Sequence, residues 1–492
     1  MRFGAFGLAI VLAISCLTAR LFYLQIANGA GYASQAQRNQ TVLQPLVASR
    51  GLIYDREGEV LVRNVASFDV KIRPADLPLP RRTQVVNRLA SLLGMEPSAI
   101  LSVIDASPGS RFDLVRVARD VPRATADLIS EWHLDLPGIE VVVEARREYV
   151  DGPLLSQLLG YTGPIGPEQI AALKREGYLP DDPVGKAGVE AFYETDLRGV
   201  YGAESVERDA TGRRIQVLQT VREAQAGGSL RLTIDVGEQQ FADQALKWGI
   251  RAAGLKRGVV IAMNPQTGEI LAMVSLPTYD NNDFSRGISN AEFGSLLRNP
   301  DEPLLNHAIN AQYPPGSTYK LVAGTGALSD GKVTASTKLR TAAYLTLGST
   351  RFYDWNRRGW GACNLDCGFG HSSDTYFFQL AGMLGIDRLG YWAKEFGFGT
   401  TTGIDLPHEV AGIVPTNEWK LDALGEPIYP GEVYQAAIGQ GYDVVTPIQL
   451  INAYAALANG GRLYQPQVVR EVVAPDGSVV RSFEPGRQRA VF

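Results

Sequence analysis

The stretch Tyr313-Pro314-Pro315-Gly316-Ser317-Thr318-Tyr319-Lys320 decides how the rest of the chain is interpreted. Its two prolines and its glycine end any preceding element, and the apolar run Leu321-Val322-Ala323 that follows is typical of a buried helix. The sequence therefore predicts a tight turn that delivers Ser317 at the start of this helix. Lys320 lies three residues further on, so we expect the two side chains on one face of the helix.

Ser317 and Lys320 are of the residue types that serve as a nucleophile and its base. A serine hydroxyl is a weak nucleophile until a base takes its proton, and a neutral amine on the next turn can be that base. The backbone N–H of a serine at a helix start also points toward a developing oxyanion. The same spacing fits a helix-start serine beside an exposed lysine. A second Ser-x-x-Lys, at Ser329, is interpreted as a helix end because Gly331 interrupts it.

Length and composition describe an ordinary globular protein with several domains. The 492 residues are 45% hydrophobic and 20% charged, and a chain of this length suggests about two to four domains. The net charge is −5, from 47 basic and 52 acidic residues. Because no basic run stands out, we expect no nucleic-acid partner. The three cysteines are too few for a disulfide framework.

The N-terminal stretch predicts a membrane anchor. Residues 3–19 carry no charge, and Arg20, Phe22 and Tyr23 follow. A spanning helix needs about 20 apolar residues, which this stretch reaches if Arg20 extends to the interface beside an aromatic belt. We predict an uncleaved, single-pass anchor over residues 1–28 in the cytoplasmic membrane, with the N-terminus cytoplasmic and the bulk in the periplasm or outside the cell. A cleaved signal peptide and a lipoprotein are the alternatives.

Two regions follow this anchor. Residues 29–228 predict an extended, mixed α/β region, which contains a hairpin over residues 52–62. Residues 229–492 predict an α+β domain in which helices pack against an antiparallel sheet. Its first elements are a strand at residues 229–235, a helix, and a hairpin over residues 257–274. A helix-rich stretch that contains Ser317 comes next.

A second motif, Ser372-Ser373-Asp374, follows Ser317 after about 55 residues. With Ser317-Thr318-Tyr319-Lys320 it resembles the Ser-x-x-Lys and Ser-Asp-Asn motifs of penicillin-recognising serine enzymes, with Asp374 in the Asn position. Six other segments extend the match over almost the whole chain: residues 20–25, 50–56, 185–190, 197–199, 263–268 and 438–442. The chain resembles the class B penicillin-binding proteins of the elongation-specific type, the penicillin-binding protein 2 group.

This resemblance implies a peptidoglycan D,D-transpeptidase that cross-links stem peptides through a serine acyl-enzyme during cell elongation. It implies Ser317 as the nucleophile, Lys320 as its base and Ser372 as a proton relay. Asp374 would hydrogen-bond the substrate peptide or Lys320. Two alternatives stay open for the second motif, a shifted register over residues 373–375 and a plain helix N-cap.

The implied partners follow from the same resemblance. They are stem peptides that end in D-Ala-D-Ala, β-lactams, and a SEDS-family glycosyltransferase with other membrane proteins of the elongation complex. No cofactor is implied.

The family's third motif, Lys-Thr-Gly, does not occur in this sequence. In the family it binds the substrate carboxylate and supplies half of the oxyanion hole, and losing one oxyanion donor costs about 10²–10³ in rate. We therefore expect a truncated transpeptidase domain, incomplete at its C-terminal end and inactive as written.

Two alternative functions stay open. One is a non-catalytic partner that activates a SEDS-type glycan polymerase through residues 29–228, the non-catalytic pedestal domain that the resemblance implies. The other is a soluble serine β-lactamase, against which the anchor and pedestal argue.

Some elongation-specific members resembling this chain hold zinc beside the second motif, through acidic residues, a His and a Cys. Asp354 matches an acidic position, but Trp360 and Ser373 stand at the His and Cys positions. We therefore assign no metal. A separate series at i, i+4 and i+8 leaves a disulfide, free thiols and a metal site open: Cys363, Cys367 and His371.

Overall fold

The computed structural model describes residues 2–28, 41–106, 111–179, 182–208, 214–486 and 489–492. The α-helices are α1 Arg2–Phe22, α2 Arg82–Leu93, α3 Pro97–Asp105, α4 Arg123–Glu131, α5 Ser156–Leu159, α6 Ile170–Arg175, α7 Gly188–Phe192, α8 Glu194–Leu197, α9 Val236–Ala253, α10 Asn281–Arg286, α11 Asn290–Arg298, α12 Lys320–Ser329, α13 Leu365–Gly370, α14 Asp374–Leu384, α15 Ile386–Glu395, α16 Asn417–Leu424, α17 Pro430–Ala437 and α18 Pro447–Ala458.

The strands are β1 Thr41–Leu46, β2 Ile53–Tyr54, β3 Val60–Ile72, β4 Val115–Ala118, β5 Ile139–Tyr149, β6 Thr162–Pro164, β7 Pro183–Gly185, β8 Gly202–Arg208, β9 Arg214–Arg222, β10 Ser229–Leu232, β11 Gly258–Met263, β12 Ile270–Leu276, β13 Leu339–Thr341, β14 Tyr344–Leu347, β15 Thr350–Tyr353, β16 Gly361–Cys363, β17 Arg462–Leu463, β18 Val469–Val473, β19 Val479–Ser482 and β20 Arg489–Ala490.

The first of two compact units comprises Met1–Arg50, Ala66–Ala145 and Arg198–Gly227. Its core joins apolar side chains of α2, α3 and α4 to those of the second half of β3, with Leu89 and Ile100 fully buried. Strands β1, β8 and β9 form an antiparallel sheet in which β8 is central. The predicted pedestal contributes to this unit, although its start at residues 29–40 lies outside the described residues.

The second unit comprises Gly51–Val65, Arg146–Leu197 and Gly228–Phe492. The predicted hairpin over residues 52–62 is present as β2 paired with β3, and the predicted hairpin over residues 257–274 is β11 paired with β12. Strand β10 lies within the strand predicted at residues 229–235. It pairs with β18 on one side and with β2 on the other, whereas β11 and β12 form a two-stranded sheet of their own.

Helix α12 lies within the largest apolar core of the second unit, and seven of its ten residues are buried. Two glycines allow neighbouring rings to approach it closely. A Cβ at Gly324 would lie 2.5 Å from Phe369, and one at Gly326 would lie 2.7 Å from Trp392. Full burial of a Leu or Val side chain contributes about 1.5–3 kcal/mol, so this helix is firmly fixed. The buried helix predicted after Ser317 is confirmed.

Helix α1 occupies the stretch for which the sequence predicts an anchor. Within the described part of the chain, no helix meets the length and hydropathy required to cross a membrane. The transmembrane segment over residues 1–28 therefore stays a prediction.

Candidate active site

Ser317 lies in a short 3₁₀ turn, Gly316–Tyr319, that leads directly into α12. Gly316 has a φ of 58°, in the left-handed region that glycine tolerates. Ser317 and Thr318 are exposed on this turn, whereas Tyr319 and Lys320 are buried. The α-helix begins at Lys320 and not at Ser317 as predicted, and the turn thereby leaves the serine at the surface while the lysine enters the core.

The Lys320 ammonium group connects the two sequence motifs. Its Nζ donates to the backbone oxygen of Ser372 at 2.7 Å and to Ser372 Oγ at 3.1 Å. It also donates to Asp374 Oδ1 at 2.6 Å, and it lies 5.4 Å from the centre of the Phe377 ring. Lys320 is only 2% exposed. Because an ammonium has three N–H donors, these contacts use its full capacity, and among the described contacts Ser317 Oγ has no hydrogen bond to it.

The second motif divides its side chains between two faces. Ser372 has a φ of 51° and meets Lys320 together with Asp374. Ser373 points elsewhere and caps α14, where its side chain accepts from the N–H of Tyr376. The helix-cap interpretation therefore holds for Ser373, and the register that starts at Ser372 is the one that places a hydroxyl at Lys320.

The segment that follows α17 contacts the turn that carries Ser317 from the other side. The N–H of Gly316 donates to the carbonyl of Gly439 at 2.9 Å. A Cβ at Gly439 would lie 2.3 Å from the Gly316 oxygen, so only glycine permits this approach. On α18, the hydroxyl of Tyr454 donates to the carbonyl of Thr318 at 3.0 Å. These contacts fix the backbone on both sides of Ser317.

Sequence reasoning missed Asp443, which is 1% exposed. It lies one residue beyond the last matched segment, residues 438–442, and its position after Gly441 and Tyr442 was the available signal. Burial raises the pKa of Asp443 well above its usual range, and the Tyr319 hydroxyl beside it lowers that pKa in part. Burial and Asp443 likewise raise the pKa of Tyr319. A buried carboxyl group and a buried phenol thus lie directly behind the turn that carries Ser317.

The cysteine series forms a disulfide. Cys363 and Cys367 are bonded to each other, with their Cα atoms 5.3 Å apart. The His371 ring stacks on Trp360 with the ring centres 4.0 Å apart. Because both sulfurs are used in the disulfide, this series does not offer thiolate ligands for zinc.

The geometry permits proton transfer between the motifs. Lys320 Nζ and Ser372 Oγ are within hydrogen-bond distance, so a proton can pass from one to the other. Asp374 supplies the counter-charge for the Lys320 ammonium. An exposed serine three residues before a buried lysine, with a second serine on that lysine, can support acyl transfer.

Comparison with known proteins matches two family descriptions to consecutive parts of the chain. The penicillin-binding protein dimerisation domain matches residues 45–232, and the penicillin-binding protein transpeptidase domain matches residues 258–490.

Two curated relatives are named peptidoglycan D,D-transpeptidase MrdA. The one from Haemophilus influenzae is 34% identical over 487 residues, which cover 97% of this chain and 72% of that protein. The one from Escherichia coli is 35% identical over 485 residues, covering 97% and 75%.

Solved structures agree with these relatives. Penicillin-binding protein 2 of Helicobacter pylori, in complex with MreC, superposes with a TM-score of 0.79 at 29% identity, covering 92% of this chain and 80% of that one. A chain from a peptidoglycan synthase complex, described as coordinating polymerisation and cross-linking, superposes with a TM-score of 0.70 at 30% identity, covering 99% and 82%.

Proposed function

The chain belongs to the MrdA-type class B penicillin-binding proteins, which are peptidoglycan D,D-transpeptidases, and we propose that Ser317 is its nucleophile. The β-lactamase alternative gives way to this assignment, since a dimerisation domain accompanies the transpeptidase domain. One observation carries the proposal about the site. Lys320, three residues after Ser317, contacts both Ser372 and Asp374 through the same nitrogen.

The proposed reaction is acyl transfer in two steps. Before the attack Lys320 passes one proton to the Asp374 carboxylate and becomes a neutral amine. Ser317 Oγ then attacks the carbonyl carbon of the penultimate D-Ala in a stem peptide, and its proton goes to that amine. Ser372 relays that proton to the nitrogen of the terminal D-Ala, whose C–N bond then breaks. An amine of a neighbouring stem attacks the resulting ester, returns a proton to Ser317 Oγ and leaves a peptide cross-link.

The fold places each of these residues where its proposed role requires it. Ser317 is exposed, as a group that meets a large polymeric substrate must be. Lys320 and Ser372 are held by hydrogen bonds before substrate arrives, so little reorganisation is needed. The sequence contains no Lys-Thr-Gly, and we propose no residue for the contact that the family makes through that motif.

D-Ala release from a stem pentapeptide ending in D-Ala-D-Ala tests this function. The protein is produced from its complete reading frame, and Ser317→Ala is compared with Ser329→Ala, which alters the other Ser-x-x-Lys. We expect release by the parent and by Ser329→Ala but not by Ser317→Ala. Release that survives Ser317→Ala would overturn the assignment of the nucleophile, and no release by the parent would overturn the proposed activity.

We propose further that the protein works at the cytoplasmic membrane, with residues 29–228 as a pedestal and residues 229–492 as the transpeptidase region. Two relatives support a place in the elongation complex, one with MreC and one in a peptidoglycan synthase complex. The disulfide of Cys363 suits an oxidising compartment such as the periplasm.

A SEDS-type glycan polymerase is the partner that we propose for the pedestal. Its co-purification from membranes with the whole protein would support this role. Recovery of the whole protein without such a polymerase would contradict it.

A further inference from the structure

Asp354 is a buried carboxylate behind the second motif, at the end of β15, and it is 1% exposed. Its Oδ2 accepts from Ser373 Oγ at 2.7 Å, from Thr375 Oγ1 at 3.0 Å and from the N–H of Thr375 at 3.1 Å. Its Oδ1 accepts from the N–H of Asn356 at 3.0 Å and from Trp360 Nε1 at 3.3 Å. Five donors thus converge on one carboxylate. Although burial raises the pKa of Asp354, these hydrogen bonds outweigh it and keep that pKa below its usual value.

These donors do not fit the zinc site that the resemblance suggests for this position. Trp360 and Ser373 stand where a zinc ligand set has His and Cys, and both donate hydrogen bonds to Asp354 instead of offering a lone pair to a metal. Indole nitrogen is a donor only. A cation at Asp354 would have to displace donors that already satisfy both oxygens. The residues therefore form a closed network of hydrogen bonds.

The network acts on the residues on both sides of Asp374. Asp354 accepts hydrogen bonds from the side chains of Ser373 and Thr375. The alternate residues, Ser372 and Asp374, therefore face Lys320 on the other side of the segment. Ser372 has a φ of 51°, which non-glycine residues rarely adopt. Such a conformation persists only where neighbouring contacts enforce it, and the hydrogen bonds from Ser373 and Thr375 to Asp354 are such contacts.

We propose that Asp354 is a positioning residue for transpeptidation, holding Ser372 and Asp374 at Lys320 through hydrogen bonds and without a metal ion. The proposal rests on the role of Lys320 and Ser372 in the proposed function. The described hydrogen bonds of Asp354 go to residues other than Ser317 and Lys320. Its effect passes through the backbone of residues 373–375.

The test measures acylation by a fluorescent penicillin in the whole protein, separating the limiting rate from the fraction of protein that can be labelled. For Asp354→Ala we expect the limiting rate to fall by about 10- to 100-fold, since a displacement of about 1 Å can cost this much. Labelling should still reach completion. A merely structural role would instead lower the labelled fraction and leave the rate of the folded protein unchanged, which would overturn the proposal.

Asp405→Ala is the matched control. Asp405 is also buried, and its carboxylate accepts from Tyr193 Oη at 2.8 Å and from the backbone N–H groups of Val468 and Val469 at 2.6 and 2.8 Å. Its loss should leave the limiting rate unchanged, because none of its partners contacts Lys320. An equal fall in rate for both variants would contradict a specific role for Asp354. Asp354→Asn, which keeps the shape and one acceptor, provides the same comparison if Asp354→Ala does not fold.

Metal content gives a readout that is independent of activity. We expect the purified protein to contain well under one zinc per chain by elemental mass spectrometry, and its acylation rate to survive treatment with a zinc chelator. Stoichiometric zinc, or a chelated protein that regains its rate only with added zinc, would overturn the proposal. A parent protein that no penicillin acylates would overturn the proposed function itself, whatever its metal content.

Discussion

Replacing Lys320 with methionine tests whether the buried Lys320 side chain both stabilises the folded protein and acts as the base in acylation. Methionine keeps the apolar stem beside Phe377 but removes the Nζ contacts to Ser372 and Asp374, which measure 2.7, 3.1 and 2.6 Å. The side chains of Lys320 and Asp374 are 2% and 17% exposed, so the carboxylate loses its counter-charge in a poorly solvated place. We expect Lys320→Met to lower the free energy of unfolding by about 3–5 kcal/mol.

The double variant Lys320→Met/Asp374→Asn separates the two effects. It leaves no unpaired charge, so part of the lost stability should return, with a coupling of about 0.5–3 kcal/mol between the two sites. The rate of acylation should not recover, because the base is still missing. In both variants we expect acylation by a labelled penicillin to slow by about 10²–10⁴-fold.

Urea denaturation and the rate of penicillin labelling, measured on the same preparations, provide the two readouts. An unchanged labelling rate in Lys320→Met, or a parental rate restored in the double variant, would refute Lys320 as the base. If the two substitutions change the stability additively, the ion pair contributes nothing and the structural part of the reasoning fails.

Three other features are tested by substitution. Burial raises the pKa of Asp443 above its unfolded value of about 4, so the free energy of unfolding falls as the pH rises from that value. The Asp443→Asn variant does not lose stability in this way, and the difference between its Tm and that of the parent should grow with pH. A Tm difference that stays constant with pH would contradict this prediction. Gly324→Ala places a Cβ 2.5 Å from Phe369 and should cost about 1–3 kcal/mol in urea denaturation, whereas Gly249→Ala, with open space around it on α9, should be neutral or stabilising. Cys363→Ser removes the disulfide and should lower the free energy of unfolding by about 2 kcal/mol through chain entropy. The parent protein with its disulfide reduced should lose the same stability.

Local sequence was sufficient where a single turn or helix determines the structure. The prolines and Gly316 predict the break before Ser317, and the apolar run after Lys320 predicts a buried helix, as found in α12. The hairpin of β11 and β12 follows in the same way from its turn residues. In these cases the contacts that decide the structure lie within a few residues.

Strand pairing between distant segments could not be predicted in this way. Strand β10 has the alternation of a strand, but its neighbours are β2 and β18, far away in the sequence on either side. Alternation reports that one face is buried and does not name the partner strand. The sequence therefore predicts the strand itself but not the strands with which it pairs.

The second motif shows a similar limit at the scale of one side chain. Two registers were open for Ser372, Ser373 and Asp374, because spacing does not reveal which way a residue with positive φ points. The structure turns Ser372 toward Lys320 and Ser373 toward Asp354. Asp354 itself was noted only as a possible zinc ligand, since the five donors around it come together only in the folded chain.

Locating the covalent adduct shows which residue is acylated. The protein from its complete reading frame is incubated with a penicillin, digested, and analysed by peptide mass spectrometry. We expect one penicilloyl group, on Ser317, and none in Ser317→Ala. An adduct on Ser372 or on another residue, or one that persists in Ser317→Ala, would contradict this expectation.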